Sequence, residues 1–95
     1  VLKANGVNIG INENEVLTAS TTLFPNPATN SFKISSEIIE EADVVDIMNI
    51  NGQVVKTLTE VEMNERIDVS NLSDGVYFVT IHTSNGVATK KLIIQ

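Results

Sequence analysis

The amino-acid sequence predicts an all-β fold, an antiparallel sandwich of six or seven short strands. Val, Ile, Thr and Asn are abundant and Trp is absent, and β-branched residues suit half-buried pleated strands. Turn signals recur about every 8 to 12 residues, a spacing typical of β-sandwiches. The 95 residues, of which 42% are hydrophobic and 19% charged, have the length and composition of one folded domain.

The amino-terminal part of the chain has the character of a linker. Residues 1–22 mix Asn, Gly, Ser and Thr with scattered apolar residues and show no strong period, so we expect the compact module to occupy residues 23–95. Within the linker, Val7, Ile9 and Ile11 alternate with polar residues, which is compatible with a strand. Residues 16–19 form a second candidate strand.

Two prolines mark the start of the module. Pro25 and Pro27 have fixed φ angles and no amide donors, and each pushes the residue before it toward extended geometry. A strand therefore has to stop or bend at this segment. The alternation that follows in residues 31–35 predicts a short strand with Phe32 and Ile34 on one face, and residues 37–43 are predicted to be a solvated connection.

Two hairpins are predicted in the rest of the chain. Residues 42–50 alternate, and we expect Val45 and Ile47 to face the core. The Asn51-Gly52 pair favours a type I′ turn, which returns residues 53–58 antiparallel to them. A second pair of strands, residues 77–83 and 87–94, is joined by a turn at residues 84–86. Residues 67–69 form a short strand between the hairpins.

The distribution of charge excludes several classes of function. The formal net charge of −6 resides in residues 31–68, which hold nine acids against three bases. An acidic body repels phosphate backbones, so we predict no nucleic-acid binding. No apolar run approaches the ~20 residues of a membrane span. A secretion signal, if the protein is exported, is expected upstream of residue 1.

Four segments, in a fixed order along the chain, resemble those of a known family. They are residues 24–28 (FPNPA), 49–55 (NINGQVV), 67–79 (IDVSNLSDGVYFV) and 89–94 (TKKLII). Together they resemble the type A C-terminal sorting domain of type IX secretion (Por secretion system) cargo, over residues 23–95. The resemblance implies an immunoglobulin-like sandwich of about seven strands, carried by a Gram-negative protein in transit through the periplasm to the cell surface or the medium. Many members end in a basic residue, where this chain has Gln95.

The resemblance also implies partners and a role. Its members are recognised by a translocon and an outer-membrane shuttle, and a sortase then usually cleaves the linker, here residues 1–22, and attaches the cargo to the surface. We expect recognition of the module's end face and last strand. The candidate recognition residues are Pro25, Asn26, Pro27, Gly75, Tyr77, Lys90, Lys91, Leu92, Ile93 and Ile94.

Each candidate also has a structural interpretation. The prolines can simply terminate a strand, Gly75 can relieve backbone strain, and Tyr77 can pack its ring into the sandwich with its hydroxyl at the rim. The last strand can add to a partner's sheet through an exposed edge, but lysine on an edge strand also guards against aggregation. Exposed edges further allow a strand-exchanged homodimer in isolation.

Catalysis and cofactor binding find little support in the sequence. His82 is the single histidine, and a catalytic relay would require a hydroxyl such as that of Ser84 and an aspartate beside it. The carboxylate pairs lack the spacing of a calcium loop, so we predict a solvated acidic face and no metal or cofactor. The alternative function is a resident adhesion or carbohydrate-binding module, which the absence of Trp and the placing of Tyr77 and Phe78 in a core strand disfavour.

Overall fold

Seven strands and one short helix make up most of residues 12–95, the part of the chain that this computed structural model describes. The helix, α1, comprises Glu13–Ser20. The strands are β1 (Thr21–Phe24), β2 (Ser31–Ser36), β3 (Glu41–Met48), β4 (Val54–Glu62), β5 (Ile67–Asp68), β6 (Gly75–Thr83) and β7 (Gly86–Ile94). The strand predicted at Val7, Ile9 and Ile11 lies outside the described residues.

The strands form two antiparallel sheets. One has the order β1-β2-β5 and the other the order β4-β3-β6-β7. In chain order these correspond to the ABE and C′CFG sheets of an immunoglobulin-like sandwich, in which the fourth strand joins the sheet of the third. The predicted fold class is therefore confirmed.

Alternation along the strands builds the core between the sheets. Phe32 and Ile34 on β2 are fully buried, as are Val45 and Ile47 on β3, and these four inward positions confirm the prediction from the sequence. Strands β6 and β7 contribute further buried residues, including Val79, Ile81, Ala88 and Leu92. The predicted connection at residues 37–43 is shorter than expected, because β3 already begins at Glu41.

The first hairpin is confirmed, but its turn is not of type I′. Strands β3 and β4 pair antiparallel, and in their turn only Gly52 has a positive φ, of 82°, whereas type I′ needs two such residues. The amide of Gly52 donates to the Asn49 carbonyl at 3.0 Å, and the Asn49 side chain accepts from the amides of Asn51 and Gln53 at 2.9 and 3.1 Å. This turn is the three-residue kind that ends in a glycine bulge.

The second hairpin is confirmed in strands and turn. Strands β6 and β7 pair along their whole length, with Thr83 opposite Gly86. The Thr83 hydroxyl accepts from the Asn85 amide and donates to the Gly86 carbonyl, both at 3.0 Å. A tight turn of Ser84 and Asn85 therefore joins the two strands.

The strand predicted at residues 16–19 is wrong, because these residues lie in α1. Asn12 caps the helix: its side chain accepts from the Glu15 amide at 2.9 Å, which satisfies one of the amides that the first turn leaves free, and donates to the Glu15 carboxylate at 3.1 Å. Leu17 is fully buried in the core cluster. Local capping and one buried leucine thus stabilise a helix where the apolar pattern alone favoured a strand.

Candidate functional site

The Pro25-Asn26-Pro27 segment lies along the outer edge of β7. The Asn26 side chain donates from Nδ2 to the Lys91 carbonyl at 2.8 Å and accepts at Oδ1 from the Ile93 amide at 3.0 Å. A neighbouring strand would satisfy the same two backbone groups. One side chain therefore takes the place of a β-strand at this edge.

The backbone after the second proline continues this pairing. The Ala28 amide donates to the Ile93 carbonyl at 2.7 Å, and the Ala28 carbonyl accepts from the Gln95 amide at 2.8 Å. Ala28 forms a parallel bridge with Ile94 and is fully buried. We call residues 25–28, together with the edge of β7 that they cover, the proline clasp.

Gly75 and Tyr77 lie on the other side of β7, within β6. Gly75 pairs with Ile94 and Tyr77 with Leu92. The Tyr77 ring is only 6% exposed, and its hydroxyl donates to the Ser73 carbonyl at 2.7 Å. This is the arrangement of the tyrosine corner of immunoglobulin-like domains, and the predicted packing of Tyr77, with its ring inside the sandwich, is confirmed.

Lys90 is the candidate that the structure separates from the others. Its side chain is half-buried and donates from Nζ to the Thr18 carbonyl of α1 at 3.0 Å. Near the start of β7, the Asn14 side chain accepts from the Val87 amide at 2.7 Å. Helix α1 therefore covers the first half of the β7 edge, and the proline clasp covers the second half.

The last strand consequently offers a partner less free edge than its position at the end of the sheet suggests. The Val87 amide, the Lys91 carbonyl and both backbone groups of Ile93 are already hydrogen-bonded on this edge. Strand addition at β7 requires unpaired amides and carbonyls. A partner that reads this end of the folded module meets mainly side chains.

The ten candidate residues divide by exposure. Tyr77, Leu92 and Ile94 are buried, so they position the site and are not themselves accessible. Ile93 is half-buried. The accessible candidates are Pro25, Asn26, Pro27, Gly75 and Lys91, which lie around the last residues of β7, the prolines and Asn26 on one side of that strand and Gly75 on the other.

The structure also shows an apolar surface that the sequence interpretation missed. Phe78, which we expected in a core strand, points away from the core and is 37% exposed, since alternate residues of β6 face opposite sides of the sheet. We call the apolar side chains beside it the outer patch: Met48, Ile50, Val54, Val76 and Phe78. The sequence signal that could have revealed this surface is strand alternation, which places Val76 and Phe78 outward when Tyr77 and Val79 face inward.

His82 lies on the same outer face, and its neighbours do not form a catalytic relay. Its Nε2 is 3.4 Å from Asp46 Oδ2, and Thr57 donates its hydroxyl proton to Asp46 Oδ1 at 2.8 Å. Within residues 12–95 no hydroxyl group is hydrogen-bonded to the imidazole, which leaves the pair without a nucleophile.

Neither a cluster of metal ligands nor a membrane-spanning helix is found among residues 12–95. Among these residues no group of three or more His, Cys, Asp and Glu side chains is placed to hold a metal ion. No helix that the structure describes has the length and hydropathy needed to cross a membrane.

Comparison with known proteins gives one family. The sequence matches the family described as secretion system C-terminal sorting domain over residues 22–95. It is 36% identical over 73 residues to beta-agarase A of Zobellia galactanivorans, a match that covers 77% of this chain and 13% of the agarase. It is 31% identical over 93 residues to an endo-acting ulvan lyase of Formosa agariphila, covering 93% of this chain and 17% of the lyase. The chain thus spans less than a fifth of either relative.

Proposed function

Because the chain belongs to the family of secretion system C-terminal sorting domains, the tails of type IX secretion cargo, we propose that it directs a cargo protein across the outer membrane. In this proposal the cargo passes through the periplasm and reaches the cell surface or the medium. The family match over residues 22–95 includes nearly all of β1 and every later strand. The module itself acts as a label and has no catalytic role.

The observation that carries the proposal is the proline clasp. The segments that resemble the family are far apart in the chain, yet Asn26 is bonded directly to Lys91 and Ile93. Such a surface exists only in the folded module, so a receptor that binds it accepts cargo whose tail has folded. The translocon and the outer-membrane shuttle are the proposed receptors. Pro25, Asn26, Pro27, Gly75 and Lys91 are the proposed contacts.

Processing by a sortase is part of the same proposal. Residues 1–22 were interpreted as the linker in which the cut falls. Helix α1 narrows that range, since residues 13–20 are helical and Leu17 is fully buried. Proteases bind their substrates as extended strands, and a helix packed on a core resists this without local unfolding. The proposed cut therefore lies before Asn12.

Export of a reporter tests the function. Residues 1–95 are fused to the carboxyl end of a periplasmic fluorescent protein in a host with type IX secretion, beside a copy that lacks residues 90–95. We expect the full fusion at the surface or in the medium and the truncated fusion in the periplasm. Retention of the full fusion with a folded tail would overturn the proposal.

A charge reversal avoids the risk that the truncated tail fails to fold. Lys91 and Lys33 are both exposed lysines on strands, but only Lys91 lies beside the proline clasp. We expect Lys91→Glu to lower export severalfold and Lys33→Glu to leave it unchanged. Equal export of the two variants would remove Lys91 from the recognition surface.

The alternative of a carbohydrate-binding module gains one observation from the structure. Phe78 and Phe24 are 37% and 40% exposed, and exposed aromatic faces can stack on sugars. The two relatives are named for an agarase and an ulvan lyase. Affinity electrophoresis of the isolated module in gels containing agarose or ulvan tests this alternative, which predicts retardation that Phe78→Thr removes.

A further inference from the structure

The outer patch continues across the whole four-stranded sheet. Met48 on β3 pairs with Val54 on β4 and with Phe78 on β6. Phe78 pairs in turn with Lys91 on β7, and Val76 pairs with Ile93. The patch therefore reaches the two residues whose backbone groups are hydrogen-bonded to Asn26 in the proline clasp.

A polar row limits the patch on one side. Asp46 pairs with Thr57 and Thr80, and Thr80 pairs with Thr89. The row of outward-facing residues next to the patch is therefore polar on every strand of the sheet. Apolar centres with polar rims are the usual composition of protein interfaces.

A small cavity limits the patch on the side of the turns. Ile50, which is 72% exposed, and Val76 line a cavity of about 180 Å³ together with Asp74. This cavity has the size to admit one apolar side chain of a partner, and buried anchors of this kind carry much of the affinity of an interface. Asp74 at its wall favours a basic group beside that side chain.

Charge distinguishes among the possible occupants. The acidic side chains of residues 37–43 and 60–65 lie at the far end of the sandwich, as the Glu41–Glu62 pair shows. A net charge of −6 disfavours both a second copy and an anionic bilayer.

We propose that the outer patch and its cavity dock a folded protein of the export machinery, which inserts an apolar side chain between Ile50 and Val76. That protein presents a basic group to Asp74 and a carboxylate to Lys91. The inference rests on the proposed sorting function and extends its surface from the proline clasp onto the outer face of the β4-β3-β6-β7 sheet.

The test replaces patch residues with strand formers of lower hydrophobicity. Val76→Thr/Phe78→Thr removes apolar surface and places threonine, a β-branched residue that favours strands, at both positions of β6. Val44→Thr is the matched control, because Val44 is half-buried on the same face, opposite His82, and lies outside the patch. In the reporter fusion we expect export to fall about tenfold with the double variant and to stay at the parent level with the control.

Stability and association are measured on the purified tails. The thermal unfolding midpoints of the parent and of the double variant are expected to agree within a few degrees, so that a loss of export reports lost recognition and not unfolding. If the double variant is folded and exported like the parent, the patch proposal fails and the sorting function stands. If the parent itself is retained, both fail.

Two other occupants have distinct signatures. Sedimentation of the parent tail at increasing concentration reports a second copy, and flotation with vesicles that contain phosphatidylglycerol reports a membrane. Dimerisation or vesicle binding that Val76→Thr/Phe78→Thr abolishes would overturn the proposal in favour of that occupant. A monomer that does not float, combined with loss of export, supports it.

Discussion

At the scale of single residues, the Asn26 side chain makes the hydrogen bonds to the edge of β7 that a neighbouring strand would otherwise make. Its amide satisfies a carbonyl and an amide of the last strand at once. These bonds join positions more than 60 residues apart in the chain. Neither proline can supply such a donor, because proline lacks an amide hydrogen.

Asn26→Ala is expected to lower the free energy of unfolding by about 1–2 kcal/mol, because it removes two partly exposed hydrogen bonds. Urea denaturation measures the loss, and hydrogen exchange should quicken at the Ile93 amide. Asn30→Ala is the matched control, since Asn30 is exposed and its contact with Val69 uses the backbone carbonyl, which Ala retains. Equal stability of both variants would show that the clasp does not hold the last strand.

Asp68 gives the folded state a dependence on pH. Its carboxylate accepts from the Ser70 amide at 2.9 Å. The Ser70 amide lowers the pKa of Asp68 below its ordinary value of 3.8, with smaller contributions from the Ser70 hydroxyl, Lys56 and Arg66. The stabilisation is complete above the pKa of the unfolded chain and is lost as the pH falls through the folded pKa.

Asp68→Asn should therefore be less stable than the parent at pH 6, and the difference should shrink as the pH falls below about 4. Comparing urea denaturation of the two proteins at pH 6 and pH 3 measures this, because contributions from the other carboxylates cancel between them. A difference that stays constant over this range would contradict the assignment.

At the scale of elements, sequence patterns predicted the strands better than the contacts between them. Phe32, Ile34, Val45 and Ile47 follow from simple alternation, which is a local signal. The Asn51-Gly52 pair located the first turn but misidentified its type. The Asn49 side chain captures the amides of the turn, and the dipeptide preference takes no account of that residue.

The candidate site depends on contacts that no local pattern contains. The family resemblance brought the prolines and the last strand to attention, but the bond between Asn26 and Lys91 requires the complete fold. Phe78 does lie in a central strand, as expected, but adjacent residues of a strand face opposite sides of the sheet, so Tyr77 and Phe78 are not both buried. Helix α1 was missed because eight residues with one buried leucine carry a weak apolar period.

Helix α1 is expected to be an integral part of the module. Leu17→Ala should cost about 2–5 kcal/mol, the range for buried leucines. Val16→Ala, at a neighbouring position that is 39% exposed, should cost much less and tests helix propensity alone. Urea denaturation separates the two variants, and equal losses would mean that α1 does not contribute to the core.

At the scale of the whole molecule, the two ends of the module differ in charge, and the two edges of its larger sheet differ in how far they are covered. Most of its acids lie at the end formed by the β2–β3 and β4–β5 connections, and the proline clasp and outer patch occupy the other end. Helix α1 and the clasp cover β7, so among residues 12–95 β4 is the more open edge of the larger sheet. A strand-exchanged dimer through β7 would have to break the Asn14 and Asn26 bonds, and its occurrence stays a prediction.

The packing of α1 on β7 is expected to limit where a protease can cut the chain. A broad-specificity protease acting on the native module should leave every bond between Glu13 and Ser20 intact, because cleavage there requires α1 to leave the core that holds Leu17. Mass spectrometry of the products locates the cuts, and Leu17→Ala provides the control in which cuts within α1 appear. Cleavage of the parent within α1 at the rate of the variant would return the proposed processing bond to anywhere in residues 1–22. Protection of α1 would confine the bond to the chain before Asn12, and the helix would remain with the label when the cargo is released.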